Sequence, residues 1–229
     1  LVSHRYVDTT IEMMREFGAE VEPIGDGYVV APTGYLKTHI EIEADASAAA
    51  YPLVAAAITG GSTTVEGIPT SSTQPDLFLL DALERMGCTV SRAGSRIELS
   101  GPVSGLRAVD VDMEDAPDAS LALAVACLFA DGPSRIRGLS TLRLKETDRL
   151  LALRSEISRV GGSAQIEGDD LIIGPGKLGP ARIETYDDHR MAMSFALLGL
   201  RVEGIEILDP GCVSKTWPDY FDMLESIRD

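Results

Sequence analysis

Apolar and polar positions fall into an order that recurs along the chain. Residues 48–59, 121–130 and 191–200 are apolar at nearly every position, which predicts three helices buried on all sides; small Ala residues let such helices approach closely. Each opens on a polar triplet: Asp45-Ala46-Ser47, Asp118-Ala119-Ser120 and Asp188-His189-Arg190. At about a dozen residues these helices are too short to span a bilayer. A strand is predicted before each (39–42, 108–111, 181–185) and after each (63–68, 134–139, 205–208). Four amphipathic helices form a second series, opening at Tyr6-Val7-Asp8, Gln74-Pro75-Asp76, Glu146-Thr147-Asp148 and Trp217-Pro218-Asp219. Hairpins follow the first three, over residues 21–30, 90–99 and 164–173, each with a polar, Gly-bearing turn.

The repeating unit is strand, buried helix, strand, amphipathic helix, hairpin, with a period of about seventy residues. This predicts an α/β protein of βαβαββ units packed around buried helices. Residues 37–104 and 106–176 form complete units, residues 1–36 the last half of another, and residues 181–229 a unit without its hairpin. Because the chain opens on Leu1 and starts and stops within units, a truncated piece of a longer parent is expected.

The 229 residues carry a net charge of −16 with a pI near 4.5, which disfavours nucleic acid as a partner. Small anions need only a local cationic pocket, and Arg135, Arg137, Arg143, Lys145, Arg149 and Arg154 crowd into one short region. Cys88, Cys127 and Cys212 lack a CxxC pair, and His4, His39 and His189 lack metal-ligand spacing. Neither a disulfide framework nor a metal site is expected, and a reducing, cytoplasmic setting fits best. No signal peptide or membrane-spanning run is visible.

Chemistry concentrates where strands meet helix N-termini, which are natural anion sites. The run Leu142-Arg143-Leu144-Lys145-Glu146-Thr147-Asp148-Arg149-Leu150 joins a strand-like segment, residues 135–142, to a helix beginning near Glu146; it is either a solvated face or a ligand-handling junction. Asp45 reads as a helix cap. Asp118 follows the acidic loop Glu114-Asp115-Ala116-Pro117 and is either a cap or a general base. Arg190, opening an apolar helix, needs a carboxylate or phosphate partner: Asp187, Asp188 or a ligand. His189 beside it reads first as a buried, satisfied histidine. Lys215 precedes an amphipathic helix as Lys145 does, and the repeat carries both to one side of the assembly.

Three of these motifs together resemble the C-terminal half of the 5-enolpyruvylshikimate-3-phosphate synthase family: Leu144-Lys145-Glu146-Thr147-Asp148-Arg149-Leu150, Asp187-Asp188-His189-Arg190-Met191-Ala192-Met193 and Ser214-Lys215-Thr216-Trp217-Pro218-Asp219-Tyr220-Phe221. Leu1-Val2-Ser3, Tyr6-Val7-Asp8, Glu43-Ala44-Asp45-Ala46-Ser47 and Pro117-Asp118-Ala119 add to the likeness, which runs in order along the whole chain. The resemblance implies the family's inside-out α/β barrel, truncated here. Residues 1–43 would be the tail of the upper domain and residues 44–229 most of the lower one, lacking its terminal hairpin. It implies transfer of the enolpyruvyl group of phosphoenolpyruvate to the 5-hydroxyl of shikimate 3-phosphate, on the route to chorismate and the aromatic amino acids.

By the same resemblance Asp118 accepts the hydroxyl proton and Glu146 protonates the methylene carbon. Arg149, Arg190 and Lys215 hold phosphoenolpyruvate; Ser3, Asp118, Thr141 and Lys145 hold shikimate 3-phosphate. His189, Asp188 and Tyr6 are neighbours of the site. No metal or organic cofactor is implied, and the parent is expected to be a monomer. Thr141 stands where many members have Asn, Ala44 where Gly is common, and Trp217 where Phe is frequent. The family's first domain, which supplies further substrate contacts, is almost wholly missing. The isolated chain is therefore expected to be inactive. Two rivals share the fold: a UDP-N-acetylglucosamine enolpyruvyl transferase, against which the Lys145 and Lys215 runs argue, and a non-catalytic binding module.

Overall fold

The computed structural model describes residues 4–36 and 39–228. Helix α1 (His4–Glu16) leads into the antiparallel hairpin β1 (Val21–Ile24) and β2 (Gly27–Val30). Asp8 lies within α1 and does not open it. Ile11, Ala19 and Val21, flanked by Val7 and Met14, form a small apolar cluster separate from the main core.

The main core begins at α2 (Ala46–Thr59), capped by the Asp45 carboxylate, which accepts from the Ser47 N–H at 2.8 Å. Strand β3 (Ser62–Glu66), a 3-10 turn (Pro75–Leu77), α3 (Phe78–Arg85) and the hairpin β4 (Thr89–Ala93) and β5 (Arg96–Ser100) complete the first unit. The next unit runs β6 (Asp110–Asp112), α4 (Ser120–Cys127), β7 (Ser134–Arg137), α5 (Arg149–Arg159), β8 (Ser163–Glu167) and β9 (Asp170–Gly174). The last described elements are β10 (Ala181–Ile183), α6 (His189–Ala196), β11 (Ile205–Ile207) and α7 (Tyr220–Ser226).

The repeat is visible in the pairing. Strands β6 and β7 pair in parallel across α4, β9 adds antiparallel to β7, and the sheet order is β6-β7-β9-β8. Strands β10 and β11 repeat the parallel pair across α6, and β3-β5-β4 repeats the antiparallel part. Helices α2, α4 and α6 pack together inside, with α4 buried at every residue. The sheets lie outside: β5 buries Ile97 and Leu99 against the helices while its alternate residues face solvent. A helix apolar all round is stable only in such a position.

Two predicted strands differ. Residues 39–42 form no strand: Ile42 is 72 % exposed, so pairing on β3 would bury little there. The strand expected over 135–142 ends at Arg137; Gly138, at φ +79°, turns the chain, and a 3-10 turn (Ser140–Leu144) carries it to the site.

Among the described residues nothing pairs with β11 on the side where β7 carries β9. A groove there runs between β11 and α7 over Leu200, Ile205, Ile207, Phe221 and Leu224. Open strand edges template association, so the 229-residue chain is expected to self-associate with rising concentration. Static light scattering checks this, and a concentration-independent monomer would contradict it.

Candidate active site

The site is built where the first turns of the buried helices meet the loop between β7 and α5. Arg149, the first residue of α5, is only 1 % exposed, and Asp148 caps the helix by accepting from Leu151 N–H at 3.1 Å. The Arg149 guanidinium spends its donors on three carboxylates. Nε and Nη2 donate to the two oxygens of Asp188 at 2.7 and 3.1 Å. Nη1 donates to Asp118 at 2.8 Å, and Nη2 also to Glu146 at 2.8 Å. Such a planar fork suits guanidinium and no other side chain.

Asp118 is not a helix cap. Ala119 occupies that position without a side-chain bond, and the Asp118 carboxylate instead faces Lys145 at 3.3 Å and Arg190 at 3.3 Å as well as Arg149. Burial works against its charge, but Arg190, Arg149 and Lys145 outweigh it and hold the carboxyl below the usual range. Glu146 accepts from Lys215 Nζ at 2.6 Å. Loss of solvation, the largest single influence, works against its charge, but that bond, its own backbone N–H and the fields of Arg149 and Lys215 together bring its pKa down to about 2. Both carboxylates are ionised at neutral pH in this arrangement.

Asp188, wholly buried, does cap α6: its Oδ1 accepts from Arg190 N–H at 2.9 Å. Its side-chain partner is Arg149 rather than Arg190, whose own guanidinium goes to Asp118. His189 is buried, and its Nδ1 makes no hydrogen bond among the described residues, standing 3.9 Å from Glu146 and from Asp188. Burial and the Arg190 charge lower its pKa, so it is neutral at pH 7. The expectation of a satisfied histidine is thus met in burial but not in bonding. Thr141 sits in the 3-10 turn with a buried hydroxyl that likewise lacks a partner. Ser3 lies outside the described residues.

The backbone holding Asp188 is strained. Tyr186 and Asp187 have φ of 56° and 54°, and Asp209, which opens the 3-10 turn (Pro210–Lys215) carrying Lys215, has φ 48°. Left-handed non-glycine residues cost energy and persist where the surroundings enforce them. At Tyr186 and Asp187 the enforcing group is Glu156 of α5, fully buried, which accepts from the Tyr186 hydroxyl at 2.7 Å, from Glu184 N–H at 3.1 Å and from Arg159. Its place beside Ala152, Leu153 and Ile157 on the buried face of α5 was the one sequence signal for it.

Asp76 was also missed. It reads as a helix-opening Asp, yet it is 4 % exposed and accepts the Tyr6 hydroxyl at 3.0 Å. Tyr6 thereby ties α1 to the cluster. Among the described residues no group of three or more His, Cys, Asp or Glu is placed to hold a metal ion, and no helix is long and apolar enough to cross a membrane.

Fold and site together define a class: an α/β scaffold of repeated units that gathers cations and carboxylates at buried helix starts. A family profile described as EPSP synthase (3-phosphoshikimate 1-carboxyvinyltransferase) matches residues 1–224, and the chain belongs to this family. It is 44% identical to a protein of that name from Nostoc punctiforme, over 96% of this chain and 52% of the relative, and 44% identical to a chloroplastic one from Brassica napus, over 99% and 46%. A solved EPSP synthase from Acinetobacter baumannii superposes with a TM-score of 0.81 at 28% identity, covering 95% of this chain and 53% of that one. The enolpyruvyl transferase NikO from Streptomyces tendae shares the fold, with a TM-score of 0.75 at 19% identity over 96% and 52%. The chain spans about half the length of the curated relatives it matches.

Proposed function

We infer that the chain is the C-terminal half of an enzyme that transfers the enolpyruvyl group from phosphoenolpyruvate to the 5-hydroxyl of shikimate 3-phosphate, releasing phosphate. The observation that carries this is the Arg149 hub, which brings Asp118 and Glu146 together beside Arg190, Lys145 and Lys215. Residues 1–43 then belong to one domain, with its own small apolar cluster, and residues 44–229 to the other.

Asp118, ionised and facing three cations, is suited to accept the hydroxyl proton. Glu146 must carry a proton to give it to the methylene carbon, yet it is ionised while Lys215 and Arg149 hold it. Substrate phosphate and carboxylate groups compete for those same cations. Once they take them, the Glu146 pKa rises towards that of a donor. Arg190 and Lys215, 15 % and 58 % exposed in their side chains, are open to phosphoenolpyruvate, whereas Arg149 at 1 % acts through its carboxylates unless they yield.

Half of a cleft lacks the groups needed for orientation and charge stabilisation. The expected result is that the 229-residue chain alone releases no phosphate from phosphoenolpyruvate when shikimate 3-phosphate is added, and that the chain joined to the missing half does. Inactivity of the joined protein would defeat the assignment; turnover by the chain alone would defeat the half-site account.

A further inference from the structure

Helix α5 holds the segment leading into α6 at two points. Its first residue, Arg149, takes the Asp188 carboxylate, and Glu156 takes the Glu184 N–H and the Tyr186 hydroxyl. The two side chains stand seven residues apart, which puts them on one face of α5 about 10 Å from each other. Between these points the chain makes a turn. Asp188 N–H donates to the Thr185 carbonyl at 2.9 Å, and both central residues, Tyr186 and Asp187, have positive φ. That is the pattern of a type I′ turn, which Asn-Gly or Gly-Gly adopts most readily. Neither central residue here is Gly, so local preference alone does not hold the turn.

Glu156 supplies what local preference lacks. Each of its oxygens accepts twice: Oε1 from the Tyr186 hydroxyl at 2.7 Å and Arg159 Nη2 at 3.3 Å, Oε2 from Arg159 Nε at 2.8 Å and Glu184 N–H at 3.1 Å. The Arg159 side chain is half-exposed while Glu156 is wholly buried, and a carboxylate placed so is a poor source of stability in itself. What it adds is a fixed place for Tyr186. From there the effect reaches the site through contacts. Asp188 closes the turn and caps α6 by accepting from Arg190 N–H at 2.9 Å, and the Arg190 guanidinium then faces Asp118 at 3.3 Å.

We propose that Glu156 is a positioning residue: by holding the Thr185–Asp188 turn in its left-handed form, it sets the start of α6 and thereby aims Arg190 at phosphoenolpyruvate. This role rests on the reading of Arg190 as a phosphoenolpyruvate ligand. Among the described residues Glu156 makes no hydrogen bond or ion pair with Asp118, Thr141 or Lys145, the groups assigned to shikimate 3-phosphate. Its loss should therefore be felt by one substrate and not by the other.

Steady-state kinetics of the chain joined to its missing half test this. Glu156→Leu, which removes every acceptor and keeps a side chain of similar size, is expected to raise the Michaelis constant for phosphoenolpyruvate on the order of 10–10²-fold, the scale of a small misplacement at a distance. The Michaelis constant for shikimate 3-phosphate should stay close to its original value. Made beside Asp187→Gly and compared with Asp187→Gly alone, the same substitution should cost much less, because Gly adopts positive φ without a clamp. Should Glu156→Leu fail to fold, Tyr186→Phe, which deletes one of the clamping bonds and keeps the ring, takes its place in both comparisons. An unchanged constant for phosphoenolpyruvate, equal losses for the two substrates, or a loss that Asp187→Gly does not reduce would overturn the proposal and leave the functional reading standing. A joined protein that, before any substitution, neither turns over nor binds phosphoenolpyruvate would overturn that reading, and the proposal with it.

Discussion

Arg149→Met is expected to destabilise the chain by about 3–5 kcal/mol, the usual cost of stranding one member of a buried ion pair. The loss is concentrated at Asp188. Asp118 retains Lys145 and Arg190, and Glu146 retains Lys215, but Asp188 is fully buried and, among the described residues, has only Arg149 as a side-chain partner of full charge. Adding Asp188→Asn to Arg149→Met should recover much of the stability, because the stranded charge is gone while a side chain able to cap α6 remains. Urea unfolding followed by circular dichroism, run as a double-mutant cycle, measures both effects. A loss below about 1 kcal/mol for Arg149→Met would mean that the hub is not structural.

Turnover should fall on the order of 10²–10⁴-fold when Asp118→Asn is placed in the chain joined to its missing half, the range for loss of a general base. The Asn is close in shape and keeps an acceptor, so the loss should appear in the maximal rate more than in the Michaelis constant for phosphoenolpyruvate. Removing one negative charge beside Arg149, Arg190 and Lys145 should leave anion binding as tight or tighter. The pH profile offers an independent check. The Asp118 pKa is depressed, so its ionised, proton-accepting form persists into acid, and the acid limb it sets lies below the ordinary carboxylate range. A loss smaller than tenfold, or one confined to the Michaelis constant, would remove Asp118 from the base role.

Much of this architecture is legible before any coordinates. The three apolar runs became α2, α4 and α6, and all three hairpins turn where Gly and polar residues predict. The capping residues Asp45, Asp148 and Asp188 act as such. The charge run at residues 142–150 proved to be a junction and not a solvated face, since Arg149 and Leu142 are buried while Lys145 and Glu146 reach the cluster. Local pattern reaches its limit at two acidic positions. Asp118 and Asp45 are each followed by Ala-Ser, and only the acidic loop before Asp118 sets it apart in sequence; in the fold one serves three cations and the other a backbone N–H. Asp76 looks like another helix start, and only its burial and its bond from the Tyr6 hydroxyl set it apart.

What the sequence by itself determined is the order, length and burial of the elements. Those follow from periodicity among near neighbours, and the period of about seventy residues repeats the same instruction. What only the tertiary structure decided is which charges meet. Arg149 finds Asp118 and Asp188 across 31 and 39 residues of chain, and Lys215 finds Glu146 across 69. No local pattern encodes those pairings, because they depend on three buried helices ending their approach at one point. The field at that point then holds Asp118 and Glu146 in their ionised forms.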